Sequence, residues 1–133
     1  MSEPLLRALV VDDSAADREM LLRRLRRAGF WAAEAHCGEA ALETLEQADF
    51  DIVLLDVNMP GMSGFDVLAN LRSHRAADVP VVMVSASNDR LVETTSRQLG
   101  AVAFITKPVD FSEALATFRA HAERCAAARL AAE

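Results

Sequence analysis

Short apolar runs that end in polar residues alternate with helix-like segments along this chain, and this alternation constrains the fold more than any other feature. The clearest run is Asp51-Ile-Val-Leu-Leu-Asp56, which is apolar throughout its middle. Continuous apolar character indicates a strand that is buried on both faces, as in a parallel sheet. Four similar runs predict further strands: Leu5 to Val11, Phe30 to Ala35, Val79 to Val84 and Ala101 to Thr106.

Helix-like segments separate these runs. Ser14 is a good N-cap, Asp17 is an acid suited to the start of a helix, and Gly29 ends the first helical segment. Four more helices are predicted over Gly38 to Gln47, Phe65 to Ser73, Arg90 to Leu99 and Asp110 to about Ala128. Five alternating units predict an α/β fold: a doubly wound parallel sheet of five strands in the flavodoxin-like order 2-1-3-4-5, with five helices.

Length and charge narrow the function classes. A chain of 133 residues predicts one domain, which we assign to residues 1–124, with 125–133 as a helical C-terminal extension or tail. The net charge of −6 disfavours direct binding to nucleic acid or to an anionic membrane. We find no apolar run of transmembrane length and no secretory pattern, and Cys37 and Cys125 lack metal-ligand spacing, so we expect a cytoplasmic protein.

Polar side chains follow four of the five predicted strands. Asp12 and Asp13 end the first strand, Asp56 the third, Ser85 the fourth and Lys107 the fifth. Ligands of open α/β sheets bind at the carboxyl ends of the strands, where these side chains should meet. Carboxylates held together repel one another, so we expect either a protonated member or a divalent cation, with Mg²⁺, Mn²⁺ and Ca²⁺ as the candidates. The alternative to a cation site is that Asp12 or Asp13 only caps the first helix.

Lys107 is the only lysine in a chain that uses arginine at every other basic position. An ammonium is a compact point charge, whereas a guanidinium is larger and planar. Lys107-Pro108 indicates a constrained turn that directs the ammonium toward the carboxylates, and a cis bond is one option for it. Carboxylates, a cation, a hydroxyl and an ammonium in one small volume suit phosphoryl transfer, with a carboxylate as the nucleophile.

Four motifs resemble the receiver domain of bacterial two-component response regulators, including single-domain receivers like the chemotaxis regulators. They are Leu9-Val10-Val11-Asp12-Asp13-Ser14, the run from Leu54 to Gly64 that contains Asp56, Val84-Ser85-Ala86, and Phe104-Ile105-Thr106-Lys107-Pro108. They occur in order with family-like spacing, and the resemblance covers about residues 5 to 124. Each motif is weak alone, but the set is specific.

The resemblance implies an aspartyl-phosphate site. Asp56 is the implied phosphoacceptor. Asp13 is an implied direct ligand of Mg²⁺, Mn²⁺ being possible, and Asp12 acts mainly through water. Asn58 would add its backbone carbonyl to the metal ligands, which also include Asp56.

The resemblance also implies a switch. Ser85 would follow the phosphoryl group, Lys107 would pair with a phosphoryl oxygen, and Phe104 would turn inward once Ser85 has moved. The family more often has Thr and Tyr where this chain has Ser85 and Phe104, and Ser87 occupies a variable place that tunes phosphoryl lifetime. The output face would be the fourth helix, fifth strand and fifth helix.

The implied partners are a histidine kinase or a histidine phosphotransfer protein, which donates the phosphoryl group, and a downstream protein target. Residues 99–103 lack the acids that one DNA-binding subfamily uses to pair its fourth-helix faces, which argues against that mode of dimerisation. We expect a monomer or weak dimer. The protein would catalyse only its own phosphorylation and dephosphorylation. Two alternatives stay open: a Mg²⁺-dependent phosphohydrolase that turns over through an aspartyl phosphate, and a phosphorylation-independent scaffold.

Overall fold

The computed structural model describes residues 5–71, 73–74 and 76–132. Strands and helices alternate along this part of the chain. In order they are β1 (Arg7–Val11), α1 (Ala15–Arg27), β2 (Trp31–Ala35), α2 (Gly38–Gln47), β3 (Ile52–Asp56), α3 (Gly64–Leu71), β4 (Val81–Ser85), α4 (Arg90–Gln98), β5 (Ala103–Thr106) and α5 (Phe111–Ala131).

The five strands form one parallel sheet in the order β2-β1-β3-β4-β5. The predicted fold class and strand order are therefore confirmed. Every residue of β3 and β4 is buried, as the continuous apolar runs predict for strands covered on both faces. None of the described helices is long and apolar enough to cross a membrane.

Successive residues of each strand point to opposite faces of the sheet and enter two separate cores. Leu9, Leu55 and Met83 belong to a core that also contains residues of α2 and α3. Val10 and Leu54 belong to a second core, which contains residues of α1 and α5. The two cores hold the strands in register, so the carboxyl ends of β1, β3 and β4 lie side by side.

Most predicted boundaries differ from the observed ones by one or two residues. The sequence predicts α3 to Ser73 and β5 from Ala101, but α3 ends at Leu71 and β5 begins at Ala103. Helix α5 is longer than predicted and continues to Ala131. The proposed boundary at residue 124 thus falls within a continuous helix, although residues 1–4 and 133 lie outside the described residues.

The buried face of α5 is offset from the predicted one. The spacing of apolar residues in the sequence predicts an inner stripe of Leu115, Phe118, Ala122 and Cys125. Phe118 and Ala122 are buried, but Leu115 and Cys125 are only partly buried. The fully buried positions of the helix are Phe111, Ala114, Phe118, Ala122 and Ala126. Two neighbouring residues can fit one helical stripe almost equally well, because 3.6 residues make a turn, and packing against the sheet decides between them.

Candidate functional site

Two buried carboxylates end neighbouring strands at one edge of the sheet. Asp12 follows β1 and is 1% exposed, and Asp56 ends β3 and is 5% exposed. They lie close because β1 pairs with β3, and Val11 is in register with Leu55. The backbone N–H of Ser14 donates to Asp12 Oδ1 over 2.8 Å, so Asp12 also supports the start of α1, where Ser14 itself is the N-cap.

Asp13 completes a cluster of three carboxylates. Asp12, Asp13 and Asp56 each offer an oxygen atom, and these atoms all lie within 4.8 Å of one another. Asp13 is exposed, whereas the other two are buried, so the cluster opens to solvent on one side. A set of carboxylate oxygens fits a hard cation such as Mg²⁺ or Mn²⁺, which commonly keeps several of its waters.

Lys107 supplies a positive charge to the same edge. Its Nζ lies 2.9 Å from Asp12 Oδ2, 2.9 Å from Asp17 Oδ2 and 3.7 Å from Asp56 Oδ2. The peptide bond between Lys107 and Pro108 is cis. From these distances, the Lys107 ammonium donates hydrogen bonds to Asp12 and Asp17 and lies beyond hydrogen-bond distance of Asp56.

The surroundings of Asp56 raise its pKa from 3.8 to about 7. Burial is the largest cause, and the negative charge of Asp12 adds to it. Lys107 and the backbone N–H of Asn58 oppose the rise, and the N–H donates to Asp56 Oδ1 over 3.3 Å. A carboxyl group with this pKa is only partly ionised near neutral pH, so a nearby cation would favour its ionised, nucleophilic form.

Lys107 remains charged at the site. Burial alone would lower the pKa of its ammonium, but the hydrogen bonds to Asp17 and Asp12 outweigh burial and raise the pKa above its ordinary value. The ammonium therefore stays protonated at neutral pH and can interact with anionic oxygens.

Ser85 ends β4, the strand next to the one that carries Asp56. Its side chain is fully buried, and its Oγ accepts a hydrogen bond of 3.0 Å from the backbone N–H of Ser87. The backbone carbonyl of Ser85 accepts a hydrogen bond of 2.7 Å from the N–H of Lys107. Phe104 lies on β5 and is partly buried, and it packs against the core between the sheet and α2 and α3.

The loop after β3 approaches Asp56 closely at Gly64. A Cβ atom at Gly64 would overlap the carbonyl oxygen of Asp56 and would lie 2.9 Å from Cα of Val57. The N–H of Gly64 donates to the carbonyl of Val57 over 2.8 Å. Glycine at this position therefore lets α3 begin directly against the backbone of the candidate acceptor.

The structure brings Asp12, Asp13, Asp56 and Lys107 into one group. Asn58 borders that group through its backbone, and Ser85 ends the adjacent strand. Phe104 lies on β5, three residues before Lys107, and packs against the core without being fully buried. Asp17 also belongs to this group through its bond to Lys107, although the sequence indicates it only as an acid suited to the start of a helix. Its place in the first turn of α1, three residues after Ser14, is the one signal that could have suggested contact with this edge of the sheet.

Comparison with known proteins agrees with this arrangement. The sequence profile of the response regulator receiver domain matches residues 8–119. The sensory transduction protein RegX3 of Mycobacterium bovis is 40% identical over 112 residues, which cover 84% of this chain and 48% of that protein. The DNA-binding response regulator MtrA of Mycolicibacterium paratuberculosis is 40% identical over 118 residues, 89% of this chain and 52% of that protein. This chain thus spans about half the length of these curated relatives.

Solved structures show the same fold. Chemotaxis protein CheY4 of Vibrio cholerae has a TM-score of 0.82 and 29% identity, with 87% of this chain and 98% of that chain covered. A response regulator structure from Chloroflexus aurantiacus has a TM-score of 0.85 and 27% identity, with coverages of 90% and 99%. The chain belongs to the response regulator receiver domain family, whose members are signalling switches of two-component systems.

Proposed function

We propose that this chain is a phosphoacceptor switch of a two-component or phosphorelay system, and that Asp56 takes the phosphoryl group. The observation that carries the proposal is the placement of Asp56, buried at a strand end between the Asp12 and Asp13 carboxylates and the Lys107 ammonium. A carboxylate nucleophile next to oxygen ligands for a cation and a fixed positive charge has the groups that phosphoryl transfer requires.

The donor would be a phosphohistidine of a kinase or of a phosphotransfer protein, as in the family. The P–N bond of the donor breaks, and its electron pair stays on the imidazole nitrogen. A P–O bond forms to a carboxylate oxygen of Asp56. Hydrolysis of this acyl phosphate later returns Asp56 to its carboxylate form and releases inorganic phosphate.

The neighbouring residues would assist this transfer in distinct ways. Asp13 and Asp56 would hold Mg²⁺ directly, Asp12 mainly through water, and Asn58 through its backbone carbonyl. When bound, the cation would neutralise part of the charge on the phosphoryl oxygens. Lys107 would donate a hydrogen bond to one of these oxygens and stabilise its negative charge.

Ser85 and Phe104 would convert phosphorylation into a change of surface. The hydroxyl of Ser85 would move to donate to a phosphoryl oxygen and would exchange its present bond with the Ser87 N–H. Phe104 would then move inward, which would alter the face formed by α4, β5 and α5. This face carries a groove of about 350 Å³ lined by residues that include Arg97, Phe104 and Glu113, and we propose it as the contact for a downstream protein.

We further propose that the protein acts in the cytoplasm as a monomer or weak dimer and binds no nucleic acid or membrane directly. The two cysteines, Cys37 and Cys125, are both free thiols, which fits a reducing compartment. The net charge of −6 supports protein partners rather than nucleic acid.

Incubation with acetyl phosphate and Mg²⁺, followed by intact-mass measurement, tests the central proposal. We expect one phosphoryl adduct on the wild type and none on Asp56→Asn. Absence of an adduct on the wild type would favour a phosphorylation-independent scaffold. Repeated turnover of a generic phosphate ester would instead indicate a phosphohydrolase.

A further inference from the structure

Lys107 is bonded to a carboxylate that lies outside the acidic cluster. Its ammonium is 2.9 Å from Asp17, within hydrogen-bond distance, and 3.7 Å from Asp56, which is beyond that distance. In this structure the ammonium therefore donates to Asp12 and Asp17 but not to the candidate acceptor.

Asp17 lies on the solvent side of the ammonium. The side chain of Asp17 is 44% exposed, whereas those of Asp12 and Asp56 are 2% and 7% exposed. Asp17 lies in the first turn of α1, where its backbone N–H donates to Ser14 Oγ over 3.3 Å. The helix start thus fixes the backbone of Asp17 on the outer side of the site.

We propose that Asp17 is a positioning residue that holds Lys107 away from Asp56 until a phosphoryl group arrives, and so limits the rate of phosphorylation. This inference rests on the proposed function of Asp56. A phosphoryl group on Asp56 would carry more negative charge than the Asp17 carboxylate and would compete with it for the ammonium, so that Lys107 would turn from Asp17 to a phosphoryl oxygen. The bond to Asp17 would then stabilise the unphosphorylated protein more than the phosphorylated one, and its loss would be part of the barrier to phosphorylation.

Hydrolysis should respond differently from phosphorylation. Lys107 would already have left Asp17 in the phosphorylated protein, so the start and the transition state of hydrolysis would both lack the bond. Removal of the Asp17 charge should therefore raise the phosphorylation rate and leave the hydrolysis rate unchanged. Because partly exposed ion pairs are weak, the expected increase is about two- to fivefold.

The experiment compares Asp17→Asn and Asp17→Ala, which remove the charge, with Asp17→Glu, which keeps it. Glu19→Gln is the matched control, since Glu19 is an exposed acid on the same helix. Intact mass would follow phosphorylation by acetyl phosphate at saturating Mg²⁺, and then hydrolysis after the donor is removed. We expect faster phosphorylation only in the two charge-removing variants, an intermediate or wild-type rate in Asp17→Glu, and equal hydrolysis rates throughout.

Unchanged or slower phosphorylation in both charge-removing variants would overturn the proposal, because it would mean that Asp17 has only a structural role or aims Lys107 productively. A parallel change in the hydrolysis rate would overturn it as well. If the wild type and Glu19→Gln are labelled normally, such a result leaves the proposed function of Asp56 intact. Failure to label the wild type would instead overturn both.

Discussion

Replacement of Asp56 by Asn should stabilise the protein when no divalent cation is present. The pKa of Asp56 is raised from 3.8 to about 7, chiefly by burial and then by the charge of Asp12. The folded chain therefore holds this proton more tightly than the unfolded chain does. Wild-type stability should fall as the pH rises from about 4 to about 7, and the loss should stay constant at higher pH.

The size of this effect follows from the pKa change. A rise from 3.8 to about 7 corresponds to roughly 4 kcal/mol of lost stability at pH 8. The cluster is open to solvent on the side of Asp13, and water screens its charges, so we expect about half of that value. The free energy of unfolding of Asp56→Asn should therefore exceed that of the wild type by about 2 kcal/mol at pH 8 and by about 0.5 kcal/mol at pH 4.

Urea unfolding measures the gain directly. Trp31, the only tryptophan, and far-UV circular dichroism would report unfolding at pH 4 and pH 8 in the presence of a chelator. Glu19→Gln is the matched control and should show no such pH-dependent gain. Equal stability of Asp56→Asn and the wild type at pH 8, or a loss in the variant, would refute the argument from burial and charge repulsion.

Four other perturbations have defined outcomes. Added Mg²⁺ should raise the melting temperature of the wild type and have a smaller effect on Asp56→Asn, as measured by thermal scans. Lys107→Arg should slow labelling by acetyl phosphate at least tenfold, which is about 1.4 kcal/mol of activation free energy, because the guanidinium is larger and planar. Intact-mass measurement follows the labelling, and a wild-type rate in this variant would contradict the prediction. Gly64→Ala should cost about 1–3 kcal/mol in urea unfolding, because its Cβ overlaps the Asp56 backbone. Arg129→Ala should cost about 2 kcal/mol, because Arg129 pairs with the buried Asp51, yet leave the labelling rate unchanged.

The fold could be predicted because its main signal is local. The apolar runs that end at Asp56 and Ser85 are each long enough to form a strand buried within a sheet. Helix signals such as Ser14 and Gly29 mark the segments that separate the strands. Parallel strands then bring their carboxyl ends to one edge, so residues far apart in sequence could be assigned to one site. The strand order depends on handedness and packing rules that hold for this whole class of fold.

Individual side-chain partners could not be predicted in the same way. The pair between Lys107 and Asp17 joins residues 90 positions apart, and it depends on the rotation of α1 about its axis. The pair between Arg129 and Asp51 depends on how far α5 continues beyond Cys125, for which the Ala-rich sequence sets no end. Both need a geometry that only the packed helices define.

The backbone bond between Lys107 and Ser85 links the candidate site to its proposed output face. The Lys107 N–H donates to the Ser85 carbonyl over 2.7 Å, and Ser85 is in register with Thr106 at the end of β5. Asp12, Asp13 and Asp56 place three carboxyl groups around one ammonium, so an added phosphoryl group would need further donors or a cation. In the proposed switch, Lys107 and the Ser85 hydroxyl would be the donors, and they are attached to adjacent strand ends. Their movement would therefore act on the ends of β4 and β5 together, and β5 forms one wall of the groove at the α4–β5–α5 face.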